Sequence, residues 1–258
     1  MIDIHAHIIP DLDDGPRDME TSVGMGRIFA EEGVSCVVST SHSEEASATG
    51  RAGMESRLEL VRAAWIEAGL DIELKLGMEI YLQPDCVQQL RAGNLWSLAG
   101  SKYVLVELPY QPWPAYANQT LFALQVAGYS PVLAHPERYT AIQNDPNVLY
   151  ELVRKGVLAQ VTGLALAGSQ GSITKKCAET LVKHHLVQFI STDAHGDHGK
   201  RVPSLLEAVR QAQQWIGEEA VHALVEGNPR RVVEDRPVEV QPERVSGRKW
   251  GLGDLFRR

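Results

Sequence analysis

Cysteine is scarce in this sequence, and what there is stands apart: Cys36, Cys86 and Cys177 are isolated and odd in number. That excludes a disulfide framework and any paired-thiolate zinc motif. Cys36 lies in the apolar run Ser35-Cys36-Val37-Val38, where a core role is expected rather than a nucleophilic one. Long apolar runs are also missing. None approaches the roughly 18–20 residues that span a bilayer. Met1-Ile2-Asp3-Ile4-His5 lacks the basic leader and apolar stretch of a signal peptide, so cytoplasmic residence is expected. Positive charge is in deficit. A formal net charge of −8 argues against nucleic acid as the main partner and leaves room for carboxylates that bound cations neutralise. A Gly-x-Ser-x-Gly elbow, a P-loop, a dinucleotide fingerprint and the phosphate loop of cysteine phosphatases are absent as well.

What is present is an alternation. The 258 residues suffice for one large domain with a buried core. Short β-branched runs at 2–5, 36–40, 72–76, 103–107, 131–135, 157–161 and 187–191 read as strands. Between and after them, helical periodicity is found at about 18–32, 54–68, 84–92, 116–127, 146–155, 174–185, 204–216 and 218–226. Alternating β and α elements predict a parallel sheet with crossover helices, closed or nearly closed into a barrel. An open doubly wound sheet is the alternative. Gly33, Gly69, Gly128 and Gly156 each follow a helical pattern and suit the C′ position, and Asp145-Pro146 reads as N-cap and N1. Beyond Asn228-Pro229 the pattern fades. The reading is therefore a domain over 1–235 and a loosely ordered tail over 236–258, whose aromatic and basic end either docks or is simply solvated.

The chemistry-bearing residues fall at strand ends. His5 and His7 end the first strand, with Asp14 in the following loop. His42 follows the second strand and Glu79 the third. Glu107 and His135 end the fourth and fifth, and Asp193 and His195 follow the last. This is the face on which parallel α/β barrels build active sites. A lone strand-end histidine is ordinary, and His-x-His alone is weak. The whole set predicts metal. Imidazole and carboxylate without thiolate suit Mn, Fe, Zn or Co. The set exceeds what one ion needs, so two or three are implied. Ions roughly 3.5–4 Å apart can share a hydroxide and clamp an in-line displacement at phosphorus. Arg138 and Arg201 lie beside these positions in sequence, and guanidinium forks match phosphate oxygens. His184 and His185, at a helix end, complement its dipole instead. His198 and His222 match no strand end.

Taken in order, Met1-Ile2-Asp3-Ile4-His5-Ala6-His7-Ile8-Ile9-Pro10, Asp13-Asp14-Gly15, Ser39-Thr40-Ser41-His42, Gly77-Met78-Glu79-Ile80-Tyr81, Val106-Glu107-Leu108, Ala134-His135-Pro136-Glu137-Arg138-Tyr139, Ser191-Thr192-Asp193-Ala194-His195 and Asn228-Pro229 resemble the bacterial protein-tyrosine phosphatases of the CpsB type. These belong to the polymerase and histidinol phosphatase (PHP) superfamily. The resemblance covers about residues 1–235. It implies a distorted (β/α)7 barrel and a centre of three divalent ions, usually manganese. By matching motif, His5, His7, Glu79 and Asp193 would hold one ion. Glu79 would bridge to a second held by Glu107 and His135, and Asp14, His42 and His195 would hold the third. Arg138 and Arg201 would bind or polarise the phosphate. The implied substrates are tyrosine-rich tails of bacterial tyrosine autokinases that control capsule and exopolysaccharide export. The chain departs from the family pattern at Thr40-Ser41-His42-Ser43 and at Val161–Ser169, both near the expected substrate rim.

The expectation is thus a metal-dependent phosphotyrosine-protein phosphatase with aromatics Tyr81, Tyr110, Trp113 and Tyr139 around a shallow site, a place in the core being the alternative for some of them. The phenolate leaving group, with a pKa near 10, needs less protonation than an alkoxide. The rivals are a small-molecule phosphatase such as a histidinol-phosphate phosphatase, a non-catalytic metal-binding regulator docking on a kinase, and a metal amidohydrolase.

Overall fold

The protein, in a computed structural model, is described over residues 1–246. All strand pairing is parallel, among β1 (Ile2–Ala6), β2 (Cys36–Ser39), β3 (Glu73–Leu76), β4 (Glu79–Tyr81), β5 (Tyr103–Glu107), β6 (Ser130–Ala134), β7 (Leu158–Thr162) and β8 (Phe189–Ser191). The helices are α1 (Met19–Glu31), α2 (Ser43–Thr49), α3 (Arg51–Glu67), α4 (Cys86–Ala92), α5 (Ala117–Val126), α6 (Thr140–Asn144), α7 (Asn147–Val153), α8 (Gly163–Ala167), α9 (Ser172–Lys183), α10 (Leu206–Ile216), α11 (Glu218–His222) and α12 (Asn228–Val233). A π-helical turn, Ala223–Gly227, joins the last two.

The hydrogen-bonded strands form two sheets, β1-β2-β3 and β4-β5-β6-β7-β8, and no single closed ladder among the described residues. Isolated bridges connect their ends. Ala6 pairs with Ala194 and His42 with Glu79, and Asp193 N–H donates to the His5 carbonyl at 2.8 Å. The fold is α/β with parallel sheets. β1, β2 and β7 are buried along their whole length. β2 accordingly reads as the apolar run Cys36-Val37-Val38, while β1 and β7 bury the polar side chains of Asp3, His5, Gln160 and Thr162 within their length.

The helices cover the strands through stripes at helical spacing. α3 buries Met54, Leu58, Val61 and Trp65, and α1 buries Ser22, Met25, Gly26 and Phe29. Asp18 caps α1, accepting from Thr21 N–H at 2.8 Å. The four predicted C′ glycines have φ of 76, 76, 92 and 90°. In each case the next residue reaches back across the last turn, as Leu70 N–H does to the Trp65 carbonyl at 2.9 Å. Asp145 accepts from Asn147 N–H at 3.0 Å, but α7 begins one residue later than predicted, with Pro146 rather than Asp145 at its N-cap. The three cysteines are buried and unpaired. Burial pushes the Cys36 thiol up to about 12, which suits a core residue. Among the described residues, no helix is long and apolar enough to cross a membrane.

Residues 236–246 form no helix or strand but lie along the body. The Tyr103 hydroxyl donates to the Arg236 carbonyl at 2.6 Å and accepts from Val238 N–H at 3.0 Å. Glu243 N–H donates to the His184 carbonyl at 2.9 Å, and Asn147 pairs with both backbone groups of Val245. The aromatic and basic end singled out in the sequence, 249–258, lies outside the described residues.

Candidate metal centre

The predicted ligands converge. Glu79, 1% exposed, is the hub. Its Oε2 lies 3.2 Å from Nε2 of His5 and of His7 and 3.3 Å from His42 Nδ1, while Oε1 lies 2.9 Å from His135 Nε2. Asp193 Oδ1 is 3.4 Å from His5 Nε2. Asp14 Oδ1 is 3.2 Å from His42 Nε2 and 3.0 Å from His195 Nε2. Glu107 Oε1 is 3.3 Å from His42 Nδ1, and its Oε2 is 3.9 Å from His135 Nε2.

Three overlapping groups offer ligand atoms all within 4.8 Å of one another: His7, Asp14, His42 and His195; His5, His7, Glu79 and Asp193; and His42, Glu79 and Glu107. His135 stands beside the third group without meeting that distance throughout.

The donor set fits divalent cations. His5 and His195 bring buried Nε2 atoms close to carboxylates without making a well-aligned hydrogen bond, as expected of lone pairs aimed at a common point rather than at each other. The outer ring nitrogens are anchored instead. His5 Nδ1 meets Gln160 Oε1 at 2.8 Å, His7 Nδ1 meets Asp13 Oδ2 at 2.8 Å, and His195 Nδ1 meets the Asp193 carbonyl at 2.9 Å. Gln160 donates its own amide to Val161, which fixes its oxygen toward His5. An N–H given to an outer acceptor leaves Nε2 as the free donor atom, the usual arrangement of metal-binding histidines.

Backbone strain accompanies this placement. His135 (φ 34°) and Asp193 (φ 52°) are in the left-handed region, at a cost on the order of 1–3 kcal/mol each. Both turn the chain sharply at a strand end and bring the side chain back over the sheet.

The electrostatics report a cluster of carboxylates awaiting positive charge. Burial opposes ionisation of Glu79, but His5, His135 and His7 outweigh it and hold the carboxyl well below its usual range. Asp14 is likewise held low by His195 and His42 despite partial burial. Burial disfavours a charged His7, yet Asp13 and Glu79 push it up to about 9. His42 is pushed up to about 11 by Asp14, Glu107 and Glu79 against its burial. His195 is pulled down to about 4 by burial and by the neighbouring His7.

Without metal, protons on His7 and His42 therefore stabilise the fold. That contribution is complete below the free imidazole value near 6.5 and disappears as pH rises through about 9 and about 11. His195 acts in the opposite sense, its contribution being lost as pH falls from 6.5 toward about 4. Chelated protein is expected to lose thermal stability steadily between pH 7 and 10, measured by scanning fluorimetry in EDTA. A flat profile would show that these imidazoles are not held in the charged form.

Both predicted arginines reach the cluster. Arg138 Nη2 lies 2.6 Å from Asp193 Oδ2, and Arg201 bridges Asp14 Oδ2 at 2.6 Å and Asp193 Oδ1 at 3.1 Å. They line a cleft of about 490 Å³ together with Asp14, His42, Glu79, Glu107, His135 and Asp193 and with Tyr81, Tyr110 and Gln170. Of the four predicted rim aromatics, Tyr81 and Tyr110 line it and are exposed. Tyr139 does not. It is fully buried, and its hydroxyl accepts from Leu108 N–H at 3.0 Å beneath the site. Trp113 packs edge-on against Tyr139, half-buried in the core. His198 is exposed beside Asp197. Neither it nor His184, His185 or His222 joins the cluster.

Sequence reasoning missed the supporting shell. Asp13, paired with His7, also accepts from Gly15 N–H and His42 N–H. Asp3 is buried and accepts from His5 N–H at 2.9 Å and Thr192 N–H at 3.1 Å, clasping β1 to the exit of β8. Burial pushes its carboxyl up to about 6. Asp13 sits next to a predicted ligand and could have been singled out. Gln160 lies mid-strand with nothing to mark it.

Comparison with known proteins agrees with this geometry. YwqE, a tyrosine-protein phosphatase of Bacillus subtilis, is 32% identical over 254 residues, covering 98% of this chain and 99% of its own. CpsB, a tyrosine-protein phosphatase of Streptococcus pneumoniae, is 28% identical over 92% of this chain and 99% of its own. A solved structure from work on these two proteins, described as unique metal-dependent tyrosine phosphatases, superposes with a TM-score of 0.91 at 32% identity. It covers 96% of this chain and 100% of that one. Residues 1–234 match the family described as capsular polysaccharide synthesis, CpsB/CapC. The chain belongs to the CpsB/CapC family.

Proposed function

We propose that this protein is a metal-dependent phosphomonoesterase that removes phosphate from phosphotyrosine on protein. The observation that carries the reading is the meeting, in one open cleft, of the histidine–carboxylate cluster with two arginines. The relatives' names give the reaction, tyrosine dephosphorylation.

In this reading the cluster binds three divalent ions, manganese foremost, with Fe, Zn or Co as the other candidates. His5, His7, Glu79 and Asp193 hold the first; Glu79, Glu107 and His135 the second; Asp14, His42 and His195 the third. His42 turns its other ring nitrogen toward Glu79 and Glu107, which links the last two positions. Bound ions supply a water activated near neutral pH and Lewis-acid neutralisation of the phosphoryl oxygens.

The protein's own groups do the rest. Arg138 and Arg201 leave part of their carboxylate pairing to take phosphate oxygens and so fix the phosphorus for in-line attack. Tyr81 and Tyr110 flank the phenyl ring of the substrate. The cleft is open and shallow enough for a peptide side chain. The substrate is a phosphotyrosine protein, foremost a bacterial tyrosine autokinase of capsule or exopolysaccharide synthesis, met in the cytoplasm. The same reading takes the two sheets as parts of one distorted (β/α)7 barrel, with the domain ending near residue 235. The bridges Ala6–Ala194 and His42–Glu79 support it.

The test compares manganese-loaded protein on a phosphotyrosine peptide and on histidinol phosphate. A preference for the peptide of at least about 10²-fold in kcat/KM is expected, worth roughly 2.7 kcal/mol of transition-state binding. A preference for histidinol phosphate would overturn the protein-phosphatase reading. Arg138→Ala is expected to lower kcat/KM on the peptide about 10²–10³-fold with metal content kept.

A further inference from the structure

Arg138 engages all three guanidinium nitrogens. Nη2 pairs with Asp193, Nη1 donates to the Tyr110 hydroxyl at 3.4 Å, and Nε donates to Gln170 Oε1 at 3.3 Å. Gln170 is set for that last contact by its backbone. It sits between Gly168 (φ 92°) and Gly171 (φ 96°), both in a conformation that residues with a Cβ avoid. Gly168 and Ser169 N–H both donate to the Leu164 carbonyl in the first turn of α8, and Gly171 N–H donates back to the Gly168 carbonyl. The loop is thus tied to one side by α8 and runs directly into α9.

The amide can be oriented only one way. The Arg138 Nε–H is a donor, so the Gln170 oxygen faces it. The Thr162 hydroxyl also lies 3.4 Å from that oxygen, but its single proton is held by Glu137 Oε1 at 2.6 Å. Glu137 accepts Thr162 N–H at 3.0 Å as well and is fully buried. Arg138 is therefore the main donor to Gln170 Oε1.

We propose that Gln170 is a positioning residue. By holding Nε it sets the rotation of the Arg138 guanidinium, so that the Nη edge rather than the Nε edge meets the phosphate. This rests on the phosphatase reading of the cleft. An untethered arginine would still be present, charged and near the site, but would sample rotations that present one donor instead of a fork.

The experiment uses full-length, manganese-loaded protein and the variants Gln170→Met, Gln170→Ala, Arg138→Ala and Arg138→Ala/Gln170→Met. Met keeps length and bulk but offers no acceptor comparable to an amide oxygen. Binding of inorganic phosphate is read by calorimetry, and kcat and KM on a phosphotyrosine peptide are read separately. Gln170→Met and Gln170→Ala are each expected to weaken phosphate binding and lower kcat/KM about tenfold, with metal content unchanged. In the Arg138→Ala background, Gln170→Met is expected to change either quantity by less than about twofold, because the group it positions is gone. Equal losses from Gln170→Met in both backgrounds would overturn the proposal, as would no loss in either. If the wild type bound phosphate but hydrolysed no phosphotyrosine peptide, the phosphatase reading would fall, while the phosphate affinities would still decide the role of Gln170.

Discussion

Glu79→Gln is expected to remove turnover by at least about 10³-fold, some 4 kcal/mol of transition-state stabilisation, and to strip most of the bound metal. The substitution keeps size and shape, so it isolates charge. Glu79 lies within 3.3 Å of imidazole nitrogens from His5, His7, His42 and His135. An amide there turns an –NH2 toward some of those nitrogens and removes the negative charge that the two proposed ion positions would share. Metal content by plasma spectrometry and kcat on a phosphotyrosine peptide check it, with circular dichroism confirming the fold. A variant with wild-type metal content and rate would show that Glu79 is no shared ligand.

Metal removal is expected to have the second large effect. Chelation should abolish activity and lower Tm by about 5–11 °C, and manganese should restore both. The magnitude follows from linkage. One ion at a hundred times its dissociation constant adds about 2.7 kcal/mol, and a protein of this size shifts by about 2–4 °C per kcal/mol. The carboxylates of Asp14, Glu79, Glu107 and Asp193 meet in one cleft, so their mutual repulsion is relieved when cations enter. Scanning fluorimetry with EDTA, then with excess manganese, measures it. Unchanged Tm with lost activity would mean that the cluster holds together without ions.

Much of this was legible in the chain. The strands before His42, His135 and Asp193 and the one that ends in Glu107 are largely apolar runs followed by a polar residue, and that contrast marks both strand and ligand. β4 was not legible. Glu79–Tyr81 is three residues long and follows β3 after only Gly77-Met78, so pattern alone reads one strand and a loop. A Cβ on Gly77 would lie 2.8 Å from Val38 Cγ1, a tertiary constraint that no local window contains. Short helices such as α2, α6 and α8 were missed because five to seven residues give too few turns for a periodic signal. Tyr139 was misplaced on the rim for a related reason. It follows Arg138 directly, but the helical turn Pro136–Arg138 sends the two side chains in opposite directions, one to the cleft and one into the core. Gln160 and Gln170 carried no signal, since their roles exist only through partners distant in sequence.

The two isolated bridges between the sheets, Ala6–Ala194 and His42–Glu79, give the centre a second meaning. Each seam has few backbone hydrogen bonds, and each is flanked by proposed ligands from both sides: His5 and His7 against Asp193 and His195 at one, His42 against Glu79 at the other. Ions seated there would cross-link residues up to 188 positions apart, His5 to Asp193 being the widest span at one proposed ion. Closing such long loops restricts the unfolded chain as a covalent staple would. In a chain whose three cysteines form no disulfide, a metal centre so placed would take over the part of the missing cross-links, and catalytic competence and mechanical closure of the fold would become the same event.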